Sequence, residues 1–412
     1  VVCAALKRTY DFALFKMGLT HLYGGLSSLR RVLHEIAVQS GAGTDALCDD
    51  LLSCYPTGLL EFHPADVCDL DCVDCHYRNK GNATVPFSRV RYALGQLAPQ
   101  AITITGGGEP NVYKSDGKTF PALVAEIKKT LPKASLGLIN NNSDIPPGDW
   151  TAVFEWQRTS IDAATAETFF AIKRRPLFET VTENVKHLLR ATAIPYVGVG
   201  FLFRRENVHE IALFLNQWYN WCVGKPNQIQ CRFNIQFRPI SPGIEQMRDL
   251  RRNGAPYPDD TTHATLRSQV VQVQRRIASS PGFATFVGEK TNFASYFGTE
   301  RSFDSSLFVH CPRPFEHCYN ALCHRVLRAT GEEYPDFLLC NRPELALGNV
   351  LHGDAAEEML RVALMEFYFF NRLGPYCNPE ECRQGWVSNT VETEFGHQGL
   401  LTENLVPIDF FF

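Results

Sequence analysis

The sequence lacks an apolar run long enough to cross a lipid bilayer. A membrane-spanning helix needs about 20 consecutive apolar residues, whereas the longest candidates cover only 194–203 and 362–370, and Glu366 interrupts the second. The first residues also lack a basic stretch followed by an apolar run, so no signal peptide is predicted. We therefore expect no membrane association and a reducing, cytoplasmic location.

The chain also lacks a large excess of charge of either sign. With 40 basic and 44 acidic residues among 412, the formal net charge is −4, so there is no basic footprint for nucleic acid. A hydrophobic content of 45% is ample for a full core and for more than one domain. Fourteen cysteines, some of them closely spaced in a long chain, favour metal ligation over a disulfide framework.

Three of these cysteines lie on one short stretch: Cys68, Cys72 and Cys75. Three thiolates on one loop can hold a [4Fe–4S] cluster by three of its irons, which leaves the fourth iron open to a small molecule. Zinc sites usually present four ligands, and His76, adjacent to Cys75, is poorly placed to complete such a set. The spacing therefore predicts an iron–sulfur cluster with one open iron.

Helical patterns dominate residues 1–58, and from residue 59 onward strand and helix patterns alternate. Such alternation predicts an α/β fold with parallel strands and right-handed crossovers. Helical patterns include 181–190 and 208–221. The predicted strands are 59–63, 101–105, 136–140, 156–162, 194–203 and 231–240.

A glycine-rich segment follows the second predicted strand: Gly106, Gly107, Gly108 and then Glu109. Glycines at a strand end let the backbone approach a ligand closely, and a carboxylate suits a cationic amine. A cysteine triplet after one strand with Gly-Gly-Glu after the next resembles the radical S-adenosylmethionine (SAM) superfamily. That resemblance implies a partial (β/α)6 TIM barrel over 59–240, in which the amino and carboxylate groups of SAM chelate the open iron and residues 106–109 bind the amine.

The same resemblance implies further SAM-binding residues at strand ends. Ser160 and Asp162 match positions that bind ribose hydroxyls, and Arg204 could meet the SAM carboxylate. Many family members carry an aromatic residue just before the third cysteine; that position is Asp74 here, and Tyr77 is the nearby aromatic candidate.

These assignments have alternatives. Asp162 could instead cap a helix starting near Ala163, and Arg204 could be solvated. The run 140–142 of three asparagines could be a turn, or its first and third members could serve the nucleoside.

A second group of cysteines lies near the carboxyl terminus. Cys318, Gly331 and Cys340, followed by 347–350 (Leu-Gly-Asn-Val), resemble the SPASM/twitch extension of radical SAM enzymes, with an insertion after the glycine. Cys377 and Cys382 would then complete one auxiliary [4Fe–4S] cluster. Zinc and a scatter of buried cysteines are the alternatives. The remaining cysteines here, alternative ligands or free thiols, are Cys311 and Cys323.

Two cysteines, Cys222 and Cys231, flank the last predicted crossover. Buried cysteines there would be ordinary. Alternatively, one of them could donate a hydrogen atom to a substrate radical, as in some peptide epimerases of the superfamily.

The resemblance implies an enzyme that cleaves SAM to a 5′-deoxyadenosyl radical, with a reductant such as flavodoxin or ferredoxin as partner. We expect a ribosomally made peptide as substrate, undergoing epimerisation or crosslinking. The alternatives are an aminosugar or other small molecule, and an iron–sulfur carrier without a reaction of its own, which would not need Glu109. The expected organisation is a helical segment 1–58, a core 59–240, a helical linker 241–310 and an auxiliary-cluster domain 311–412.

Overall fold

The computed structural model describes residues 59–73, 75, 82–240, 260–297, 324–329 and 336–338. The predicted helical segment 1–58, Tyr77 and most of the predicted auxiliary-cluster domain lie outside these ranges, so the predictions made for them remain predictions. Within the described ranges, no helix combines the length and apolar character needed to cross a membrane.

One eight-stranded sheet organises the chain, in the order β10-β9-β1-β2-β5-β6-β7-β8. Every neighbouring pair from β9 to β8 is parallel, and β10 is antiparallel to β9. A small antiparallel hairpin, β3-β4, stands apart from it. The strands are β1 (Leu59–His63), β2 (Ala101–Ile104), β3 (Lys114–Ser115), β4 (Lys118–Thr119), β5 (Ser135–Asn140), β6 (Trp156–Ser160), β7 (Tyr196–Phe203), β8 (Phe233–Pro239), β9 (His324–Arg328) and β10 (Asp336–Leu338).

Helices connect most of the consecutive parallel strands, whereas a 3₁₀ turn lies between β5 and β6. Short 3₁₀ turns cover Pro110–Val112, Asp149–Val153 and Val208–Glu210. The described α-helices are α1 (Phe87–Leu97), α2 (Phe120–Thr130), α3 (Ala166–Lys173), α4 (Phe178–Ala191), α5 (Ile211–Cys222), α6 (Asn227–Arg232), α7 (Asp260–Ser279), α8 (Pro281–Lys290) and α9 (Phe293–Phe297).

The structure confirms the predicted α/β class and its parallel sheet. All six predicted strands form, as β1, β2, β5, β6, β7 and β8, and they neighbour one another in chain order. Sequence reasoning did not foresee that β9, which falls in the predicted auxiliary-cluster region, pairs with β1. The closure of the sheet into a partial barrel remains a prediction.

The two faces of the sheet differ in polarity. One face packs under helices, as when Phe201 of β7 contacts Phe214 of α5 with ring centroids 4.8 Å apart. The other face carries the alternate residues, for example Trp156, Arg158 and Ser160 of β6, which keep partial exposure while their neighbours are buried. We call these the helix-covered face and the polar face.

Candidate functional site

The candidate site begins where β1 ends, because the segment that leads into Cys68 pairs with the glycine-rich loop. The Gly108 N–H donates to the Ala65 carbonyl at 2.8 Å, and the Glu109 N–H donates to the Val67 carbonyl at 2.7 Å. A Cβ added at Gly108 would lie 2.0 Å from the Val67 carbonyl oxygen, which no side chain permits. We call the segment that carries Cys68, Cys72 and Cys75 the cysteine loop. The glycine therefore allows Glu109 to approach the start of this loop.

Glu109 is buried, with 2% of its surface exposed. Its carboxylate accepts hydrogen bonds from the backbone N–H of Asn111 at 3.0 Å and of Asn141 at 2.6 Å. Burial raises the pKa of Glu109 to about 8, although these two hydrogen bonds oppose the shift. Each carboxylate oxygen has a second lone pair, so Glu109 retains capacity for a cationic ligand.

Asn141 links this carboxylate to the cysteine loop. Its side-chain amide donates to Asp69 Oδ1 at 2.6 Å and lies 3.9 Å from Cys68 Sγ. Ser143 Oγ donates to the other carboxylate oxygen of Asp69. Cys68 and Glu109 therefore share one hydrogen-bonded unit, which sequence reasoning missed because it considered the asparagines only for a turn or a nucleoside contact.

The asparagine run does form a turn. Asn142 adopts a left-handed conformation with φ of 57°, and Asn141 Oδ1 accepts a hydrogen bond from the Ser143 N–H at 2.8 Å. Asn140 and Asn142 are buried, and both accept from the Gln157 side chain, at 3.1 Å and 3.4 Å. Asn142 thus belongs to the turn, whereas Asn140 is the last residue of β5, and a nucleoside contact of either residue remains a prediction.

The middle of the cysteine loop is hydrogen-bonded to the last turn of α3. The Asp71 N–H donates to the Lys173 carbonyl at 3.1 Å, and the Val73 N–H donates to the Ile172 carbonyl at 3.0 Å. Cys72 lies between these two contacts. These hydrogen bonds to the end of α3 thus hold Cys72 at the carboxyl edge of the sheet.

A buried ion pair holds that end of α3. Lys173 Nζ donates to Asp162 Oδ2, and the side chains are only 6% and 1% exposed. The other oxygen of Asp162 accepts from the Leu202 N–H at 2.7 Å. Burial opposes the charge on Lys173, but the Asp162 carboxylate raises the Lys173 pKa above its usual value.

This pairing decides one alternative for Asp162. Helix α3 begins at Ala166 and is capped by the Thr165 side chain, which accepts from the Thr168 N–H at 3.2 Å. Asp162 therefore does not cap a helix. Its ribose-binding role remains a prediction, and any ligand would share a carboxylate that already holds Lys173.

Arg204, next to this pair, is buried with 5% exposure, so its interpretation as a solvated arginine is wrong. Its backbone N–H donates to Asn207 Oδ1 at 2.7 Å. The Asn207 amide donates in turn to the Asp162 carbonyl at 2.8 Å. The ends of β6 and β7 are thereby joined beneath the cysteine loop.

Glu210 fixes the loop between Asp162 and α3. Its carboxylate accepts from the Ala164 N–H at 2.6 Å and from the hydroxyls of Thr165 and Thr168 at 2.6 Å and 2.8 Å. Glu210 thus secures the amino end of α3, while Asp162 secures its carboxyl end.

Charges of both signs lie near the Cys72 thiol. Burial raises the pKa of the Cys72 thiol and Asp162 adds to this shift, while the positive charges of Lys173 and Arg204 oppose it. Two cations and one carboxylate thus face the middle cysteine. Because burial is the largest effect, the Cys72 pKa stays above its ordinary value, and the positive charges of Lys173 and Arg204 only partly offset this loss of the thiolate, the form that binds iron.

The donor set suits a [4Fe–4S] cluster in its chemistry and its place in the fold. Cys68, Cys72 and Cys75 are free thiols on one loop at the carboxyl edge of parallel strands, where α/β proteins bind ligands. Within the described ranges, however, no three His, Cys, Asp or Glu side chains are gathered closely enough to hold a metal ion. Cluster binding therefore requires the loop to draw the three sulfur atoms together.

The remaining predicted residues are placed as follows. Ser160 ends β6 on the polar face and is partly exposed. Tyr77 and the carboxyl-terminal cysteines lie outside the described residues: Cys311, Cys318, Cys323, Cys340, Cys377 and Cys382.

Cys222 and Cys231 are not placed to donate hydrogen atoms at this site. Cys222 is buried at the last residue of α5, and Cys231 is exposed just before β8 begins. Both therefore lie at the amino edge of the sheet, whereas the cysteine loop lies at the carboxyl edge. The seven residues of β8 separate the edges by about 20 Å, at about 3.3 Å per residue.

No protein-family model matches the chain, and no curated protein matches it. Among solved structures, it is similar to Streptococcus suis SuiB bound to S-adenosylmethionine, with 12% identity, TM-score 0.46, and coverage of 83% of this chain and 74% of that one. It is also similar to methylornithine synthase PylB, with 12% identity, TM-score 0.36, and coverage of 63% and 79%. The [FeFe]-hydrogenase maturase HydG has 11% identity, TM-score 0.31, and coverage of 65% and 64%.

The first prediction concerns the buried ion pair. Replacing Lys173 by Met leaves the Asp162 carboxylate buried without its partner, which should reduce the free energy of unfolding by about 3–5 kcal/mol. Urea denaturation of full-length protein measures this loss, with the exposed Lys129→Met as control. A loss no larger for Lys173→Met than for Lys129→Met would show that the pair does not stabilise the site.

The second prediction concerns pH. Because burial raises the Glu109 pKa from its ordinary value of 4.5 to about 8, the folded protein binds this proton more tightly than the unfolded chain does. Stability from Glu109 is thus fully present below pH 4.5 and is lost as pH rises toward about 8. In cluster-free protein, Glu109→Gln should remove this part of the decline in unfolding free energy, while Glu167→Gln at an exposed position should not. Parallel pH profiles for wild type and Glu109→Gln would contradict the assignment.

Proposed function

We propose that this protein is a radical SAM enzyme. One observation carries the proposal: Asn141 joins Glu109, an acceptor for a cationic amine, to Cys68 at the start of a three-cysteine loop. An iron–sulfur carrier without a reaction of its own has no need of a buried amine acceptor beside its cluster loop.

In this proposal Cys68, Cys72 and Cys75 hold the cluster, and Glu109 accepts a charge-assisted hydrogen bond from the SAM amine. A bound [4Fe–4S] cluster would supply the electron that cleaves SAM to methionine and a 5′-deoxyadenosyl radical, which removes hydrogen from a substrate carbon. Arg204 provides a cation for the SAM carboxylate, and Ser160 provides a hydroxyl for the ribose. The chain's own task is to bind, orient and exclude water.

We further propose a peptide substrate, epimerised or crosslinked, with a flavodoxin- or ferredoxin-type reductant. Support comes from the sequence, where Gly106-Gly-Gly-Glu-Pro110 and Phe237-Arg-Pro239 resemble peptide-modifying members of the superfamily. The auxiliary cluster at Cys318, Cys340, Cys377 and Cys382 belongs to the same proposal. Oxidation or epimerisation of an aminosugar is the alternative reaction.

The third prediction tests the cluster ligands. Replacing Cys68, Cys72 and Cys75 together by Ala should remove about four irons per chain, the content of one cubane, and abolish 5′-deoxyadenosine formation. Iron analysis and chromatography of the reduced, SAM-treated protein measure both. Cys222→Ala with Cys231→Ala is the matched control, since both thiols lie at the opposite edge. A triple variant that still forms 5′-deoxyadenosine would refute the proposal.

The fourth prediction concerns Glu109 and SAM affinity. At a pH above about 8, where the Glu109 carboxyl is ionised, Glu109→Gln keeps the shape of the side chain but loses its charge. SAM binding should then weaken by about 1–3 kcal/mol, the range for hydrogen bonds to charged groups. Equilibrium binding of SAM to cluster-loaded protein gives the dissociation constant, with Glu167→Gln as control. Equal dissociation constants for wild type and Glu109→Gln would remove Glu109 from the SAM site.

A further inference from the structure

The polar face of the sheet presents a feature that the proposed SAM site does not use. Parallel sheets are usually apolar on both faces, because helices cover both. Here β6 and β8 place polar or charged side chains on one face: Arg158, Ser160, Asn234, Gln236 and Arg238. These side chains keep some exposure, whereas Val199, Ile235 and Phe237 on the other face are buried. Solvent, or a ligand, therefore reaches the polar face.

In the middle of β7, the strand between β6 and β8, two residues have no side chain on this face. Gly198 pairs with Arg158 on one side and Asn234 on the other, and Gly200 pairs with Gln236. A Cβ added at Gly198 would lie 2.2 Å from Asn234 Oδ1, and one added at Gly200 would lie 3.7 Å from Arg158 Cδ. The two glycines thus leave room for the Asn234 side chain and the Arg158 stem to lie across β7.

Arg158 reaches across β7 with its guanidinium group. One terminal nitrogen, Nη1, donates to the Gln236 side-chain oxygen on β8, and the Trp156 ring centre lies 5.9 Å from the guanidinium carbon. Within the described ranges, no carboxylate forms an ion pair with Arg158. A guanidinium has five N–H donors in a planar fork, so most of its donor capacity remains for a ligand.

The charges around Arg158 also favour the binding of an anion. Burial lowers its pKa well below the usual value and the positive charge of Arg238 lowers it further, while Asp162 and Glu61 oppose the shift through space. Burying a guanidinium with few negative charges nearby raises the free energy of the folded protein unless an anion pairs with it. A bound anion would supply the missing charge.

We propose that Arg158 is the anion-binding residue of a substrate subsite on the polar face, which holds a carboxylate or phosphate group of the substrate. Arg158 lies below the carboxyl ends of β6 and β7, where Asp162 and Arg204 belong to the candidate SAM site. A substrate anchored at Arg158 would extend toward that edge. This inference rests on the proposed function, because it names a chemical group on the substrate of the same enzyme.

Arginine-specific modification tests the subsite without SAM, cluster or substrate. Full-length protein is treated with phenylglyoxal at constant ionic strength, with and without inorganic phosphate or acetate, and mass spectrometry follows each arginine. Phosphate or acetate, at about ten times its dissociation constant, should slow modification of Arg158 about tenfold. Arg91, whose side chain is 68% exposed, is the internal control and should react at the same rate throughout.

The outcomes separate the sources of the anion. Protection by phosphate alone indicates a phosphorylated substrate, and protection by acetate alone indicates a carboxylate such as an acidic side chain. Equal rates with and without both anions, or an Arg158 that never reacts, would overturn the proposal.

Two variants separate this subsite from the SAM site. Arg158→Gln and the charge-preserving Arg158→Lys should bind SAM as wild type does and still form 5′-deoxyadenosine. Weakened SAM binding in both would show that the anion is the SAM carboxylate and would overturn the substrate assignment. If wild type forms no 5′-deoxyadenosine while anions still protect Arg158, the proposed function fails and the anion site stands.

Discussion

The arrangement of the candidate site depends on the buried ion pair between Lys173 and Asp162. Asp162 ends the β6 region and also binds the backbone of β7 through Leu202, so it is fixed by the sheet. Lys173 is the last residue of α3, and its carbonyl receives the Asp71 N–H of the cysteine loop. The ion pair between Lys173 and Asp162 therefore fixes the position of Cys72 relative to the edge of the sheet. Because both charges are buried, the pair is costly to break, which gives a loop of little regular structure a fixed support.

The sheet separates stability from binding by giving each its own face. The helix-covered face holds an aromatic core in which Phe201, Phe214 and Phe237 contact one another. The polar face is left with side chains that a helix could not cover without burying Arg158 and Gln236 against apolar surface. Gly198 and Gly200 of β7 leave room on that face for the side chains of Asn234 and Arg158. The Arg158 guanidinium therefore lies on the polar face, and the cysteine loop lies at the carboxyl edge of the same sheet.

Sequence patterns predicted the sheet well because parallel strands read as apolar runs between helical segments. The same reasoning did not find β9, since His324–Arg328 is short and strongly basic and pairs with β1, a strand far away in the sequence. Cys68, Glu109 and Asp162 were identified because each follows a strand. Lys173 and Asn141 were not, because their partners lie 11 and 32 residues away in the chain and only the fold brings them together. The suggestion that Cys222 or Cys231 donates a hydrogen atom rested on proximity to a crossover, which does not say which edge of the sheet a residue occupies.

The central claim is that SAM binds to a cluster held by the Cys68–Cys72–Cys75 loop. Electron paramagnetic resonance of the reduced, cluster-loaded protein tests it most directly, because an open iron changes its spectrum when a ligand coordinates it. We expect SAM to shift the signal of wild-type protein, and we expect no such shift when Cys68, Cys72 and Cys75 are replaced by Ala. A wild-type signal that SAM leaves unchanged, at concentrations where SAM binding is otherwise detected, would contradict it.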